Sequence, residues 1–211
     1  DYSHRLEAVL SIGSGNHTRS FLGWLDGTLI QLPLTYYFDA KRWDLSPGYD
    51  TNNLRMGRPI TAKCLFCHND LSKNVVDTTA SYESPFAAGI SCERCHGKGQ
   101  EHVDYRMEGK EPKAGAPDPT ILNPKHFPSS HQQQVCEQCH LQGRSRRLND
   151  GHAWDTYDPK MPLHEYMTIF VERIDTDAFG IASHGARLQQ SKCYESGVMG
   201  CSTCHNPHKT S

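Results

Sequence analysis

Four copies of the pentapeptide Cys-x-x-Cys-His account for eight of the nine cysteines in this chain of 211 residues. This spacing is typical of the attachment of a c-type haem, in which two thiols bond covalently to the porphyrin and the His supplies an axial nitrogen to the iron. The pattern therefore predicts four haem c cofactors. The predicted attachment residues are Cys64, Cys67, Cys92, Cys95, Cys136, Cys139, Cys201 and Cys204, and the predicted proximal iron ligands are His68, His96, His140 and His205.

Zinc sites and disulfide bonds are the two other uses of paired cysteines. The cysteines of the first two pentapeptides would form one four-thiolate zinc site, and those of the last two would form a second. Such a site does not require a His at the fifth position, yet all four copies have one. Bridges within Cys-x-x-Cys are usually redox-active rather than structural. Haem attachment therefore explains the pattern best.

The second axial ligand of each iron separates electron transfer from catalysis. An iron with two His ligands exchanges electrons but has no position for a substrate, whereas an open iron can bind one. Two His residues on opposite faces of one iron need Cα atoms about 12 Å apart, and three residues of chain span at most about 11 Å. His208 therefore cannot reach the iron held by His205. His102 would have to wrap round its own haem, so we expect both to serve neighbouring haems.

Regular secondary structure is expected to be sparse. Only 36% of the residues are hydrophobic, and the chain contains 17 Gly and 12 Pro. Haem groups would supply apolar material that the side chains lack. We expect a mainly α and irregular multihaem cytochrome c fold, a single domain over residues 1–211, with an N-terminal β-hairpin region at 13–60 and a haem-binding region at 61–211.

The hairpin is the clearest local signal. Asp26-Gly27 is a two-residue turn flanked by apolar residues over 20–38, and Pro33 is expected to end the second strand or confine it to a sheet edge. Other expected elements are a helix over 99–109, a helix from Ser130 through the third pentapeptide with Gln133 as a capping partner, a strand over 166–173, a helix over 186–196, and a solvated loop for the basic run 144–147.

The overall charge and hydropathy exclude two classes of partner. The formal net charge is −2, and the sequence contains no long basic run, so nucleic-acid binding is not expected. No apolar run approaches the ~18 residues of a transmembrane segment. Because haem c is attached outside the cytoplasm, we expect an exported protein, periplasmic or extracellular, with redox partner proteins or copies of itself as partners. Asp1 then follows a removed export signal, or the chain simply begins there.

Three segments carry a family resemblance: residues 13–17, 92–102 and 183–208. They resemble the multihaem c-type cytochromes related to the tetrahaem electron carrier that partners hydroxylamine oxidoreductase, and most of all the branch whose haem domain often precedes tetratricopeptide repeats. The resemblance extends loosely to tetrahaem filament cytochromes, in which a subunit lends a His to its neighbour. It implies that the distal iron ligands are His17, His102, His184 and His208.

Two functions fit these features. The first is electron transfer through four mostly bis-His haems, as a periplasmic shuttle or as a subunit of an extracellular cytochrome filament, with no enzyme activity. The alternative is a multihaem oxidoreductase acting on a small nitrogen or sulfur compound at one open haem, with His131, His152 or Arg187 in the distal pocket. Every pentapeptide keeps its proximal His, which favours the electron carrier. The ninth cysteine, Cys193, is expected to be a buried free thiol.

Overall fold

The structure is a computed structural model that describes residues 5–13, 15–51, 55–70, 72–171, 183–197 and 199–209. The chain divides into two compact units, Asp1–Ser91 and Cys92–Ser211. The first pentapeptide lies in the first unit, and the other three lie in the second. The organisation as a single domain, with a haem-binding region from residue 61, stays a prediction.

A four-stranded antiparallel sheet dominates the first unit. Its strands follow the order of the chain: β1 (Leu10–Ile12), β2 (Thr18–Leu25), β3 (Thr28–Tyr37) and β4 (Arg42–Leu45). Strands β2 and β3 form the predicted hairpin. Its turn residues Asp26 and Gly27 have φ values of 48° and 75°, as a two-residue turn that matches the strand twist requires.

Pro33 lies inside β3, a central strand, so the prediction that it would end the strand or mark an edge is wrong. Ser20 pairs with Thr35, but Leu22 pairs with Gln31, so three residues of β3 lie opposite one residue of β2. This bulge leaves Pro33 without a β2 partner. The missing N–H of Pro33 therefore costs no hydrogen bond in the β2–β3 ladder.

The core of the first unit joins the sheet to the first pentapeptide. Leu22 and Leu29 from the hairpin pack with Ile60, Leu65 and Tyr82, and all five side chains are buried. Leu65 lies on helix α1 (Ala62–His68), which contains the first pentapeptide. Burying each of these side chains stabilises the fold by roughly 1.5–3 kcal/mol, so the core holds this helix against the sheet.

Short helices supply most of the regular structure of the second unit. They are α2 (Glu93–His96), α3 (Gln100–Met107), α4 (Ser129–His140), α5 (Leu163–Tyr166), α6 (His184–Gln189), α7 (Lys192–Glu195) and α8 (Cys201–Cys204), with a 3-10 turn at Pro124–His126. Strands β5 (Ser145–Leu148) and β6 (Met167–Phe170) pair antiparallel. No helix in the described part of the chain is long and apolar enough to cross a membrane.

The helix predictions were correct in place and partly wrong in detail. The helices expected over 99–109 and through the third pentapeptide are α3 and α4. The capping partner predicted for α4 is wrong, because Pro128 occupies the N-cap and Gln133 instead hydrogen-bonds Glu137. The helix expected over 186–196 is two helices, α6 and α7, because the Ser191 hydroxyl accepts a hydrogen bond from the Tyr194 N–H and starts a new turn.

The second unit has little apolar core. Among the described residues, it buries five apolar side chains, against nine in the first unit. The five are Val135, Tyr157, Leu163, Tyr166 and Met167. Low regular secondary structure, a small antiparallel sheet and several short helices agree with the expected fold class. The four haems of that fold class stay a prediction.

Candidate haem sites

Each pentapeptide forms one helical turn. Helices α1, α2 and α4 end at His68, His96 and His140, and α8 ends one residue before His205. Residues three apart are neighbours on a helix surface, so the turn brings both cysteines of a pair to one side. No disulfide bond involves any of the eight pentapeptide cysteines. They are therefore available for thioether bonds to a porphyrin.

The described His, Cys, Asp and Glu residues form no group of three or more that could hold a metal ion.

Cys193 is an exposed free thiol on α7, so the expectation of a buried thiol is wrong. Helix α7 has four residues, and none of them is buried.

The structure brings His208 beside the second pentapeptide. The rings of His96 and His208 stack with centroids 5.9 Å apart and planes inclined by 19°. Nδ1 of His96 lies 2.7 Å from the Leu122 carbonyl oxygen, which can only accept a hydrogen bond. This nitrogen therefore carries the proton, and Nε2 keeps the lone pair that a metal ion requires.

His184 lies beside the third pentapeptide. Its Nδ1 is 3.1 Å from Nδ1 of His140, and the ring centroids are 5.1 Å apart. Burial lowers the pKa of His140, and the neighbouring His184, Arg146 and His205 lower it further. These effects favour a neutral imidazole at His140, which is the form that coordinates a metal.

Gly185 allows helix α6, which carries His184, to pack closely on helix α4. A Cβ atom added to Gly185 would lie 2.6 Å from Oε1 of Glu137, so only Gly lets α6 pack this closely on α4. The same oxygen accepts hydrogen bonds from the side-chain amides of Gln133 at 2.6 Å and Gln189 at 2.9 Å. The buried Glu137, inside the third pentapeptide, thus fixes the helix that carries His184.

Gln138, the next residue of the third pentapeptide, connects it to the second. Its buried side-chain amide donates to the Arg94 carbonyl at 3.0 Å and to the Val135 carbonyl at 2.7 Å. Arg94 lies between the two cysteines of the second pentapeptide. The two predicted haem sites are therefore joined through buried polar contacts.

Arg146 caps the end of α4. Its guanidinium donates to the carbonyls of Gln138, Cys139 and Leu141 at 3.0, 3.1 and 3.2 Å. The expectation of a solvated loop for 144–147 is therefore wrong: Arg146 is 7% exposed and lies on β5. Carbonyls at a helix C-terminus lack partners within the helix, and a basic side chain satisfies them.

In both His17 and His102, the ring nitrogen Nδ1 lies next to a carboxylate. Nδ1 of the exposed His17 lies 3.1 Å from Oδ2 of Asp39. Nδ1 of His102 lies 3.2 Å from Oδ2 of Asp118, whose side chain is 13% exposed. Hydrogen bonds from Thr120 lower the pKa of Asp118. In both residues Nε2 points away from the carboxylate contact.

The third and fourth pentapeptides meet at their first cysteines. Cys136 and Cys201 line one cavity of about 370 Å³, together with Tyr194 and Met199. A hydrogen bond between the two thiols, together with burial, raises the pKa of Cys136. The same hydrogen bond lowers the pKa of Cys201 to about 7.

His131 and His152, two candidate distal groups of the oxidoreductase alternative, pack against aromatic rings. Nε2 of His131 lies 2.9 Å from the Pro159 carbonyl oxygen, and its ring stacks on Phe127 at 4.4 Å. The ring of His152 packs on Tyr166 at 5.0 Å. Burial raises the pKa of Tyr166 to about 12.

Two of the remaining His residues lie on other elements. His126 is in the 3-10 turn, and His164 is on α5. His4 lies outside the described residues.

Comparison with known proteins supports haem c as the cofactor class. The family described as "Cytochrome c554 and c-prime" matches residues 46–97, which contain the first two pentapeptides. "Multiheme cytochrome MtrA" of Shewanella baltica (strain OS185) is 28% identical over 167 residues, which cover 69% of this chain and 45% of MtrA. This chain is similar to multihaem c-type cytochromes. The narrower resemblance to tetrahaem carriers and tetratricopeptide proteins stays a prediction.

A structural relative was also found. The crystal structure of the outer cell wall cytochrome OcwA matches with a TM-score of 0.46 and 17% identity, covering 72% of this chain and 31% of OcwA. The chain therefore spans less than half the length of either relative.

Sequence reasoning did not identify the residues that position the predicted ligands. Glu137 and Gln138 occupy the variable positions of a pentapeptide, so their place in the motif was visible although their contacts were not. Asp39, Asp118 and Arg146 have no sequence signal, because each acts on a residue brought close only by folding.

Proposed function

We propose that this chain transfers electrons through four covalently attached c-type haems, most of them with two His ligands. The observation that carries this proposal is the pairing of imidazoles at two pentapeptides, His96 with His208 and His140 with His184. A His on each side of an iron leaves no position for a substrate. The similarity to multihaem cytochromes supports the same class of function.

The proposed ligand set combines these two pairs with the ligands that the family resemblance implies. The eight pentapeptide cysteines attach the haems, and the pentapeptide His residues are the proximal ligands. His208 and His184 are proposed to complete the coordination of the irons bound by His96 and His140, respectively. His17 and His102 supply the other two distal ligands, and haem c contributes a one-electron couple between ferric and ferrous iron.

The contacts of the chain support close spacing of the haem sites. The Gln138 side chain joins the third pentapeptide to the second, and Cys136 and Cys201 of the third and fourth line one cavity. These placements keep neighbouring attachment sites near each other, as electron transfer along a series requires.

The setting of the protein follows from haem chemistry. Because haem c is attached outside the cytoplasm, the chain is proposed to be exported to the periplasm or the cell exterior, where it exchanges electrons with redox partner proteins. Two assemblies fit this role, a soluble shuttle and a subunit of an extracellular filament of identical copies. Electron microscopy of the purified holoprotein separates them.

Counting the haems tests the cofactor assignment. The intact mass of the native protein is expected to exceed the polypeptide mass by four haem groups, and a pyridine haemochrome assay is expected to give four haems per chain. A native mass equal to that of the bare polypeptide would refute the proposal.

A His208→Ala variant tests the axial pairing. Removing a distal ligand opens one iron, so we expect a high-spin ferric signal in electron paramagnetic resonance and carbon monoxide binding to about one haem in four. The matched control is His126→Ala in the exposed 3-10 turn, which should leave all haems low-spin. Spectra of His208→Ala identical to those of the parent would show that His208 is not a ligand.

A further inference from the structure

Strand β4 forms an exposed edge of the four-stranded sheet. It pairs with β3 on one side, and all four of its residues are exposed. Trp43, within the strand, is 58% exposed, and Leu34 on β3, the partner of Leu45, is 51% exposed. An edge strand presents N–H and C=O groups that another strand can pair with.

The pairing of β4 with β3 determines which backbone groups face outward. The Ser46 N–H donates to the Pro33 carbonyl at 2.8 Å. Hydrogen-bonded positions alternate along an antiparallel pair, so Asp44 and Arg42 bond to β3. The N–H and C=O of Trp43, between them, therefore point away from β3. A strand added at this edge would pair with Trp43.

A row of aromatic rings ends at the same residue. The Trp43 ring stacks on Phe21 at 5.6 Å and contacts Tyr36 edge-on at 5.4 Å, and Tyr36 contacts Phe38 at 5.0 Å. The row crosses one face of the sheet and stops at its edge. A second tryptophan directly across the edge would extend it, since aromatic pairs on neighbouring strands stabilise a sheet.

The charges of β4 complement those of a second β4. Arg42 and Asp44 lie on the face opposite Trp43, form an ion pair of 2.8 Å and are 68% and 47% exposed. When an antiparallel copy is centred on Trp43, Arg42 lies opposite Asp44 of the second copy, and Asp44 lies opposite Arg42. Both cross-strand pairs are then attractive.

We propose that two copies of this chain form a two-fold dimer in which β4 pairs antiparallel with β4 of the second copy, Trp43 opposite Trp43. The ladder of backbone hydrogen bonds between the two copies is short, because the Leu45 N–H and C=O are already bound by the Asp44 carboxylate and the Tyr37 hydroxyl. A two-fold contact of this kind closes on itself and does not propagate. The dimer rests only on residues of the sheet and is independent of the haem assignment.

Sedimentation of the full-length holoprotein over a range of concentrations tests the dimer. The parent protein is expected to dimerise. Arg42→Asp and Asp44→Arg each convert both cross-strand pairs to repulsion, so each should associate at least about tenfold more weakly. Lys73→Glu is the matched control, because Lys73 forms a similarly exposed ion pair with Glu83 elsewhere in the same unit.

Two further combinations of these variants should restore dimerisation and so make the test specific. The double variant R42D/D44R should dimerise again, because its charges are complementary in the reversed sense. A mixture of the two single variants should form a heterodimer, since one copy then carries two acidic and the other two basic residues. A parent protein that stays monomeric, or single variants that neither weaken association nor regain it in the mixture, would overturn the proposal.

Discussion

Asp118 places a carboxylate beside a predicted haem ligand, His102. Its Oδ2 lies 3.2 Å from Nδ1 of His102 and 3.3 Å from the Arg106 guanidinium. The Thr120 hydroxyl and N–H both bond its other oxygen and fix its orientation. The carboxylate therefore places a negative charge next to the His102 ring. A negative charge near an iron ligand stabilises ferric over ferrous iron.

Asp118→Asn is therefore expected to raise the reduction potential of one haem, because a neutral amide replaces the carboxylate beside His102. Each tenfold loss of ferric over ferrous preference corresponds to about 59 mV for a one-electron couple. Spectroelectrochemical titration of the holoprotein measures the four potentials.

Asp104→Asn is the matched control. Asp104 is on α3, the helix that carries His102, and it is exposed and accepts a hydrogen bond from Gln100. Its potentials should equal those of the parent. If Asp118→Asn also leaves all four unchanged, Asp118 does not act on a haem ligand.

At the scale of elements, the C-terminus of α4 is where the third pentapeptide contacts strand β5. His140 ends the helix, and Arg146 reaches it from the neighbouring strand β5. Because the guanidinium fork satisfies three carbonyls at once, the last turn of α4 stays helical and its His stays oriented.

Arg146→Lys is expected to destabilise the holoprotein by about 1–3 kcal/mol, because a single ammonium cannot satisfy the three carbonyls that the guanidinium binds. Guanidinium chloride denaturation, followed by circular dichroism, measures the loss. The neighbouring Arg147 is exposed on the same strand, so Arg147→Lys should keep the parent midpoint. Equal midpoints for both variants would contradict the capping role.

At the scale of the whole molecule, the two units differ in how they are stabilised. The first has a sheet whose buried leucines pack on α1. The second has three pentapeptides, short helices and few buried apolar side chains among its described residues. A unit with so little apolar burial offsets less of the conformational entropy of folding, so we expect it to depend on covalent haem.

Replacing all eight pentapeptide cysteines by Ala should unfold the second unit more than the first. Hydrogen exchange measured by mass spectrometry is expected to lose protection over 92–171 while the hairpin strands over 18–37 keep it. The holoprotein variant Cys193→Ala, which removes an exposed thiol outside the pentapeptides, should exchange as the parent does. Equal loss of protection in both units would contradict this difference.

Predictions made from the sequence succeeded where neighbouring residues determine the structure. The Asp26-Gly27 turn formed because two adjacent residues adopt positive φ. The predictions failed where packing between elements decides the structure. Pro33 stayed inside a strand because of a bulge against β2, and Arg146 became buried because α4 ends beside it.

The pentapeptides could be identified from the chain alone, because five consecutive residues in one helical turn carry the whole signal of haem attachment. Their approach to distant imidazoles is a property of packing. His184 meets His140 across 44 positions of sequence because Gly185 lets α6 settle on Glu137. His208 reaches His96 rather than its nearer neighbour His205 because the folded chain returns to the second pentapeptide, a path that no local pattern specifies.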